Sequence, residues 1–363
     1  MSDAPSPIPP RVSEHPLTWR DITAPLVWPL ILRAPAMAFS PPRLFLGFLG
    51  AFLITLWIEI HGALIEAPVA PVSIAPLLDN LVAAAGRLDP GALIGASAIL
   101  AETLINAAIG SPWAATLAVA PGLLLAAIPG FAIARSASVE YATGRHTEAV
   151  DALIHACRAI RQIALATLGP LALVALLALA PLVAGLLLGT PVLDLAGALL
   201  YAPALMLGLL IIVILALHTI ASPLIVASLA IEDTDGFDAI QRAYAYCIAR
   251  PLRLALYASL ALVIGTLLVG IITLLWSGGV ALTDTLAGTT GGDAGRRVLR
   301  GDADLGATAP AARAIVGFWR ALLALLVSGY VFSLVACAGT MIYLALRRVC
   351  DGQDTTEIWD PAL

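Results

Sequence analysis

Residues 196–220 read AGALLYAPALMLGLLIIVILALHTI, a run without aspartate, glutamate, lysine or arginine. A helix of roughly 20 apolar residues crosses the hydrocarbon core of a bilayer, which is about 30 Å thick. Backbone polar groups in lipid must be satisfied within their own segment, so the run is predicted to be a transmembrane helix. Five further runs have similar length and hydropathy, near residues 44–65, 114–134, 163–188, 254–276 and 319–346. The sequence therefore predicts an all-α polytopic bundle of six transmembrane helices.

The composition of the whole chain agrees with this class. Of its 363 residues, 60% are hydrophobic and 12% are charged, and the mean hydropathy is +0.97. A soluble domain has roughly 25% charged and about 45–50% apolar residues, so one water-soluble core cannot hide this much apolar surface. The net charge of −5, without a basic stripe, argues against nucleic acid as a partner. We expect membrane lipids as partners, and a protein partner or a larger membrane complex.

Charges and prolines divide the chain into four regions. Residues 1–16 are polar and proline-rich, which is typical of a disordered tail. Residues 17–40 are apolar but broken by charges and prolines, so we expect a segment on the cytoplasmic surface. The six-span domain covers residues 44–346, and residues 347–363 form a cytoplasmic tail. Within the domain, residues 92–110 are predicted either to lie on the outer surface or to be re-entrant.

The placement of arginines predicts the orientation. All 19 basic residues are arginines, and most of them flank the spans on one side. Because basic loops stay in the cytoplasm, both termini are predicted to be cytoplasmic, in the inner membrane of a bacterial cell. Indole rings favour the headgroup region. Four of them fall at the predicted outer ends of spans: Trp57, Trp113, Trp276 and Trp319.

The two longer predicted cytoplasmic loops resemble each other. The first contains Glu148-Ala-Val-Asp-Ala and then Cys157, and the second contains Asp238-Ala-Ile-Gln-Arg and then Cys247. From Glu148 onward the two align at an offset of 90 residues, and each leads from one span into the next. A duplicated pair of spans explains this pattern. Chance similarity in alanine-rich sequence explains it equally well, and both explanations stay open.

The second of these loops holds an acidic cluster at the head of a predicted helix. Its members are Glu232, Asp233, Asp235 and Asp238. Acidic residues stabilise a helix N-terminus, and we prefer this capping role. The alternative is a site for a divalent cation or a lipid headgroup. Arginines on and after the same helix would then hold the phosphate of an anionic lipid: Arg242, Arg250 and Arg253.

Three ionisable residues lie within or beside predicted spans. Glu59 and His61 lie toward the outer end of the first span, and His218 lies near the inner end of the fourth. A charge at membrane depth is expensive and often marks an ion or substrate path. All three are near an interface, however, where snorkelling lowers the cost, so we favour a structural role.

Pairs of small residues recur four positions apart in the spans. The pairs are Gly47 with Ala51, Gly185 with Gly189, and Gly329 with Ser333. Small residues let helix backbones approach closely in lipid. We expect packing within one chain rather than a dimer interface.

The sequence contains no catalytic signature. The motifs of zinc proteases, serine hydrolases and P-loop nucleotide-binding proteins are all missing. The four cysteines form no CxxC pair, and no histidine lies at metal-finger spacing, so we predict neither a metal nor a cofactor. The cysteines are expected to be reduced and to pack as small hydrophobic residues.

Short motifs give the chain a family resemblance. One set resembles a pattern that recurs in a broad group of bacterial membrane proteins: Pro223-Leu-Ile, Glu232-Asp, Asp238-Ala-Ile, Tyr244 and Arg250-Pro-Leu. A second set, the start Trp19-Arg-Asp-Ile and the closing Arg347-Arg with Asp351-Gly, resembles six-span membrane proteins common in planctomycetes. More distantly, the chain is similar to the membrane domain attached to some glycerophosphodiester phosphodiesterases. The resemblance implies the six-span architecture and no particular activity. The phosphodiesterase catalytic domain is absent, so its chemistry is not implied.

Two functions are compatible with these features. The first is an integral membrane scaffold or accessory protein without catalytic activity, which acts through lipid or protein contacts. The second is a small-solute or lipid transporter, with a path near Glu59, His61 and the proline-containing spans two and three. Transport requires a polar cavity near mid-membrane, whereas a scaffold requires a close-packed interior and an exposed apolar cleft.

Overall fold

The computed structural model describes residues 27–64, 95, 112–300 and 308–359, and the regular structure within these ranges is helical. A short 3₁₀ helix, Trp28–Arg33, precedes the first α-helix. The helices are α1 (Ala34–Ala38), α2 (Pro41–Leu64), α3 (Pro112–Thr143), α4 (Ala149–Arg158), α5 (Ile160–Leu188), α6 (Asp194–Glu232), α7 (Gly236–Ala249), α8 (Pro251–Thr290), α9 (Gly292–Arg300) and α10 (Ala309–Asp351). The predicted disordered tail, 1–16, lies outside the described residues, and so does the segment 92–110 apart from Gly95.

Six of the described helices are long and apolar enough to cross a membrane: α2, α3, α5, α6, α8 and α10. They contain the six predicted apolar runs in order. The prediction of an all-α, multi-pass membrane protein is therefore confirmed. Which membrane the chain occupies, and which side its termini face, remain predictions.

Several of these helices are much longer than a span requires. Helix α6 has 39 residues, α8 has 40 and α10 has 43. At about 1.5 Å per residue, each is roughly 60 Å long, which is about twice the thickness of the hydrocarbon core. A part of each helix must therefore extend beyond the lipid.

The hydrophobic core lies at one end of the bundle, which we call the arginine-rich end. At this end the starts of α2, α5 and α8 pack against the ends of α3, α6 and α10. The short helices α1, α4 and α7 lie at the same end, and so does the C-terminal tail, residues 352–359. Phe131, Ile225 and Leu344 are almost fully buried there. By contrast, only 6% of the most apolar window is buried in each of α5, α6 and α8. The outer parts of these helices present apolar side chains to their surroundings, as lipid-facing helices do.

Helices α2 and α10 cross at two glycines. A Cβ atom on Gly47 would lie 2.1 Å from the carbonyl oxygen of Gly329, and 3.1 Å from the Cβ of Ser333. The hydrophobic effect does not bring helices together in lipid, and close backbone contact of this kind stabilises their association instead. Gly185 and Gly208 differ, because a Cβ on either one would meet nothing within 4 Å.

The similar loops belong to two segments with the same order of helices. In each, a long helix (α3 or α6) is followed by a short one (α4 or α7) and then by another long one (α5 or α8). Ser136 and Glu140 near the end of α3 match Ser228 and Glu232 near the end of α6. The shared order of helices favours duplication over chance similarity.

Gly47→Ala is expected to destabilise the membrane domain by about 1–3 kcal/mol, because the added methyl group must push α10 away. Gly208→Ala is the matched control. It changes helix propensity by the same amount but enters open space. Denaturant unfolding in mixed micelles measures both. Equal stabilities of the two variants would contradict the close crossing.

Candidate functional site

A buried ionic network joins three helices at the arginine-rich end. Glu232, the last residue of α6, accepts a hydrogen bond from the Tyr343 hydroxyl at 2.5 Å on one carboxylate oxygen. Arg347 of α10 approaches the same oxygen at 3.5 Å, and Arg242 of α7 binds the other. The side chains of Glu232 and Arg347 are only 10% and 4% exposed. A charge this deeply buried is tolerated only when it is paired and hydrogen-bonded.

Two tyrosines extend the network along α10. Ser228 donates to the Tyr343 hydroxyl at 3.1 Å, so that this hydroxyl both accepts and donates. Tyr246 of α7 donates to Asp351, and its ring packs against Tyr343 with a centroid distance of 5.6 Å. Burial, and then the hydrogen bond to Asp351, raise the pKa of Tyr246 far above its ordinary value. Tyr246 is therefore a permanent donor that holds α7 against the end of α10.

The C-terminal tail folds back over the end of α6 and is held through its backbone. Arg347 donates to the carbonyl oxygens of Asp354, at 3.0 Å, and Glu357. The Trp359 amide donates to the carbonyl oxygen of Ile231 at 3.0 Å. Arg347 thus pairs with Glu232 and fixes the tail at the same time.

Arg135 of α3 holds the other side of the tail. It donates to the carbonyl oxygen of Ala230 at 3.1 Å and to that of Trp359. Its guanidinium group also lies 5.4 Å from the centre of the Trp359 ring, a favourable cation–π distance. Arg135 therefore connects α3, α6 and the tail.

His155 of α4 packs beneath the same tryptophan. Its ring lies 5.7 Å from Phe131 and 6.3 Å from Trp359, and its Nε2 atom is 3.8 Å from Asp233. Burial, followed by the positive charge of Arg135, lowers the pKa of His155, although Asp233 partly opposes this. The folded protein therefore favours neutral His155.

A second glutamate–arginine pair involves the glutamate that matches Glu232 in the first of the two similar segments. Arg43, which is 1% exposed, lies 2.8 Å from Glu140 and donates to Ser136 at 3.2 Å. It also donates to the carbonyl oxygen of Met37 at 2.6 Å, which ties α1 to α2. His146 lies 3.0 Å from the same glutamate. In both similar segments, a carboxylate near the end of a helix thus binds an arginine from another helix.

The four residues of the predicted acidic cluster have different structural roles. Asp235 is the N-cap of α7 and accepts from the amides of Phe237 and Asp238, both at 2.9 Å. Asp233 ends α6 in the left-handed conformation, with φ 50°, and Asp238 is exposed in the first turn of α7. Glu232 belongs to the ionic network. Among the described residues, no three His, Cys, Asp or Glu are arranged as metal ligands.

The three predicted lipid-binding arginines are also separated. Arg242 is paired with Glu232, although its side chain is 39% exposed. Arg250 and Arg253 are exposed where α7 meets α8. The pairing of Arg242 sets it apart from the other two.

The three predicted intramembrane residues lie on two helices. Glu59 is exposed on α2, a helix that packs against α3 and α10. His61 lies on the same helix with its ring 6.2 Å from that of Trp57. His218 is buried on α6, where its Nδ1 lies 3.2 Å from the Tyr244 hydroxyl of α7. His218 belongs to the core of the arginine-rich end, away from the other two.

Two of the predicted interface tryptophans lie inside longer helices. Helix α8 continues beyond Trp276 to Thr290, and α10 begins at Ala309, well before Trp319. Arg320 of α10 binds both carboxylate oxygens of Asp284 of α8, at 2.6 and 2.7 Å. Trp113, by contrast, is the second residue of α3, and its side chain lies outside the described residues. A role of these tryptophans at the membrane interface stays a prediction.

An apolar groove of about 480 Å³ opens between the outer halves of α5 and α6. Pro181 and Gly185 line it from α5, and Tyr201, Ala204 and Gly208 line it from α6. Neither glycine is needed for contact between the two helices, because a Cβ on either would meet nothing within 4 Å. The groove therefore has the character of a binding surface for an apolar partner.

The chain matches no protein-family model, no curated protein and no solved structure.

Sequence reasoning missed most of the ionic network. Tyr343 lies within an apolar run, and Arg347 contributed only to the predicted orientation. One signal was available, because an arginine at the end of a long apolar run needs either an anionic headgroup or a protein carboxylate. The sequence alone does not tell which partner it has.

Glu232→Gln is expected to lower the free energy of unfolding by about 3 kcal/mol, because the buried charge of Arg347 loses its counter-charge. Asp238→Asn is the control. It removes an exposed carboxylate from the same loop and should cost less than about 1 kcal/mol. Thermal or denaturant unfolding in detergent measures both. A loss no larger than that of the control would show that Glu232 is not structurally required.

Acid is expected to destabilise the packing around His155. Its folded-state pKa is lowered from 6.5, so its contribution is complete above pH 6.5 and is lost as the pH falls through the lowered value. His155→Gln should therefore lose less thermal stability than the wild type between about pH 7.5 and pH 5. Identical slopes for the wild type and His155→Gln would contradict the assignment.

Proposed function

We propose that the chain is a multi-pass scaffold or accessory protein of the bacterial inner membrane, without catalytic activity, that works through contacts with lipids or other membrane proteins. In this proposal the arginine-rich end faces the cytoplasm. The observation that supports it most directly is the apolar surface of α5 and α6, which pack on each other while their outer halves stay exposed.

The interior charges support a structural role. Glu232 is paired with both Arg242 and Arg347, and Arg43 is paired with Glu140. Buried charges that are satisfied in this way fix the relative positions of helices. They hold the arginine-rich end as a rigid base from which the longer helices extend.

The α5–α6 hairpin supports a role in lateral contacts. Leu186 and Leu199 are 71% and 74% exposed, and the groove between the two helices is lined by small and apolar residues. Small residues at a membrane-embedded surface allow close approach of another helix or of an acyl chain. This hairpin is therefore the surface through which the proposed scaffold engages its surroundings.

The transporter alternative receives less support. It requires Glu59, His61 and His218 to border a common polar path. His218 is instead bonded to Tyr244 in the core, whereas Glu59 is exposed on α2. The groove between α5 and α6 is apolar rather than polar.

Filling the groove tests the proposal. Gly185→Leu with Gly208→Leu should leave the thermal stability near that of the wild type, because both side chains enter open space. Gly270→Leu is the matched control, since it adds the same side chain to open space on α8. Native mass spectrometry of chains extracted in polymer nanodiscs counts bound lipids and copies of the chain. The groove variant should lose lipids or a second copy that the control retains.

Two results would overturn the proposal. One is an unchanged lipid and copy number in the groove variant. The other is labelling of the His218→Cys variant, made in a chain whose four native cysteines are replaced, by a membrane-impermeant thiol reagent from both sides of the membrane. That result would indicate a path through the protein and support the transporter.

A further inference from the structure

The groove between α5 and α6 lies between two contacts that join these helices. At the tip of the hairpin, residues 189–193, the helices pack closely, because a Cβ atom on Gly197 would lie 2.6 Å from the amide nitrogen of Leu188. Toward the arginine-rich end they are joined again, where His218 of α6 is hydrogen-bonded to the backbone of Thr167 of α5. The groove is therefore a bounded feature of the hairpin, with a defined length.

Small residues and prolines in both helices leave this space open. Gly185 of α5 and Gly208 of α6 lack side chains that would fill it, and neither glycine position is in contact with the other helix. Pro181 lines the groove, and Pro203 precedes Ala204 in its wall. Water is not stable in a site with so few polar partners, and an empty groove forfeits dispersion contacts. A hydrocarbon group from outside the chain is therefore favoured there.

The dimensions of the groove fit an acyl chain better than a helix. Its lining residues on α6 extend from Tyr201 to Ile212, a distance of roughly 16 Å at about 1.5 Å per residue. This length is close to that of one leaflet, which is half of a hydrocarbon core about 30 Å thick. A volume of about 480 Å³ over this length gives a mean width of roughly 6 Å, whereas a helix with its side chains is about 10–12 Å across.

One polar group lies at the end of the groove that is nearer to the hairpin tip. Tyr201 is 52% exposed, and its hydroxyl makes no hydrogen bond with any residue that the structure describes. It lies roughly 10 Å along the helix from Asp194, where α6 begins. Tyrosine favours the boundary between hydrocarbon and headgroups. Its hydroxyl can therefore donate to an oxygen of a lipid whose acyl chain runs toward Ile212.

We propose that the groove binds one acyl chain of a phospholipid from the leaflet at the hairpin tip, and that Tyr201 donates a hydrogen bond to that lipid. The groove is continuous with the lipid-facing surface of α5 and α6, so that the chain enters it directly from the bilayer. The inference rests on the proposed function, which takes the α5–α6 hairpin as the surface that engages the membrane. If a second copy of the chain filled the groove instead, the proposed function would stand and this inference alone would fail.

Photocrosslinking with a lipid tests the site. The full-length protein is reconstituted in liposomes that contain a trace of phosphatidylcholine with a diazirine on one acyl chain, and mass spectrometry locates the adducts after irradiation. Adducts should concentrate on residues 181–188 and 201–212. Gly208→Trp should lower this labelling by about tenfold, because the indole occupies the groove. Gly270→Trp, which adds the same side chain to open space on α8, should leave it unchanged.

A variant at Tyr201 tests the hydrogen bond separately. Tyr201→Phe keeps the ring and removes the hydroxyl, so labelling of the groove should fall by about fivefold, as expected for the loss of one hydrogen bond. Labelling at the wild-type level in this variant would overturn the assignment of the hydroxyl.

Disulfide formation between copies tests the competing occupant. Gly185→Cys and the control Gly270→Cys are each made in a chain whose four native cysteines are replaced, and both are oxidised in liposomes. The two should form disulfide-linked dimers to the same small extent. Efficient dimers of Gly185→Cys alone would place a second copy in the groove and overturn the proposal. So would equal labelling of the groove in Gly208→Trp and Gly270→Trp, provided that thermal stability is unchanged in both.

Discussion

The carboxylate of Glu232 is the point at which three helices and the tail become one unit. An ionised carboxylate that is 10% exposed would be strongly destabilised if it stood alone. It is stable because Arg242, Arg347 and Tyr343 approach it from α7 and α10. The same requirement fixes the tail, since the remaining donors of Arg347 need acceptors and find them in the tail backbone. One buried charge therefore determines the arrangement of sequence-distant segments.

This dependence on polar contacts follows from the solvent. In lipid, apolar helix surfaces gain little from packing on each other, so helices associate through small residues, hydrogen bonds and ion pairs. Helices α2 and α10 associate through small residues, at Gly47 and Gly329. The arginine-rich end uses hydrogen bonds and ion pairs. The outer halves of α5, α6 and α8 have fewer such contacts and remain exposed to their surroundings.

The spans could be predicted from sequence because hydropathy depends on local composition. The N-cap role of Asp235 could also be predicted, because the cap and the amides that it accepts from lie within three residues. The pairing of Glu232 with Arg347 joins positions 115 residues apart, and no local pattern specifies it. The ends of the helices could not be predicted from hydropathy, because α8 continues through a polar stretch to Thr290. Hydropathy predicts which residues lie in the lipid, whereas the end of a helix depends on where its backbone hydrogen bonds stop.

The two glutamate–arginine pairs give the two similar segments different roles. Glu140 and Glu232 occupy matching positions, but Arg43 lies at the start of α2 and Arg347 near the end of α10. Each similar segment therefore binds an arginine from the first or the last long helix. Glu140 keeps an exposed neighbour, His146, whereas Glu232 is surrounded by two tyrosines, two arginines and the tail. Because Glu140 and Glu232 bind the first and last long helices, they close the bundle at this end, and the outer parts of the intervening α5 and α6 stay exposed.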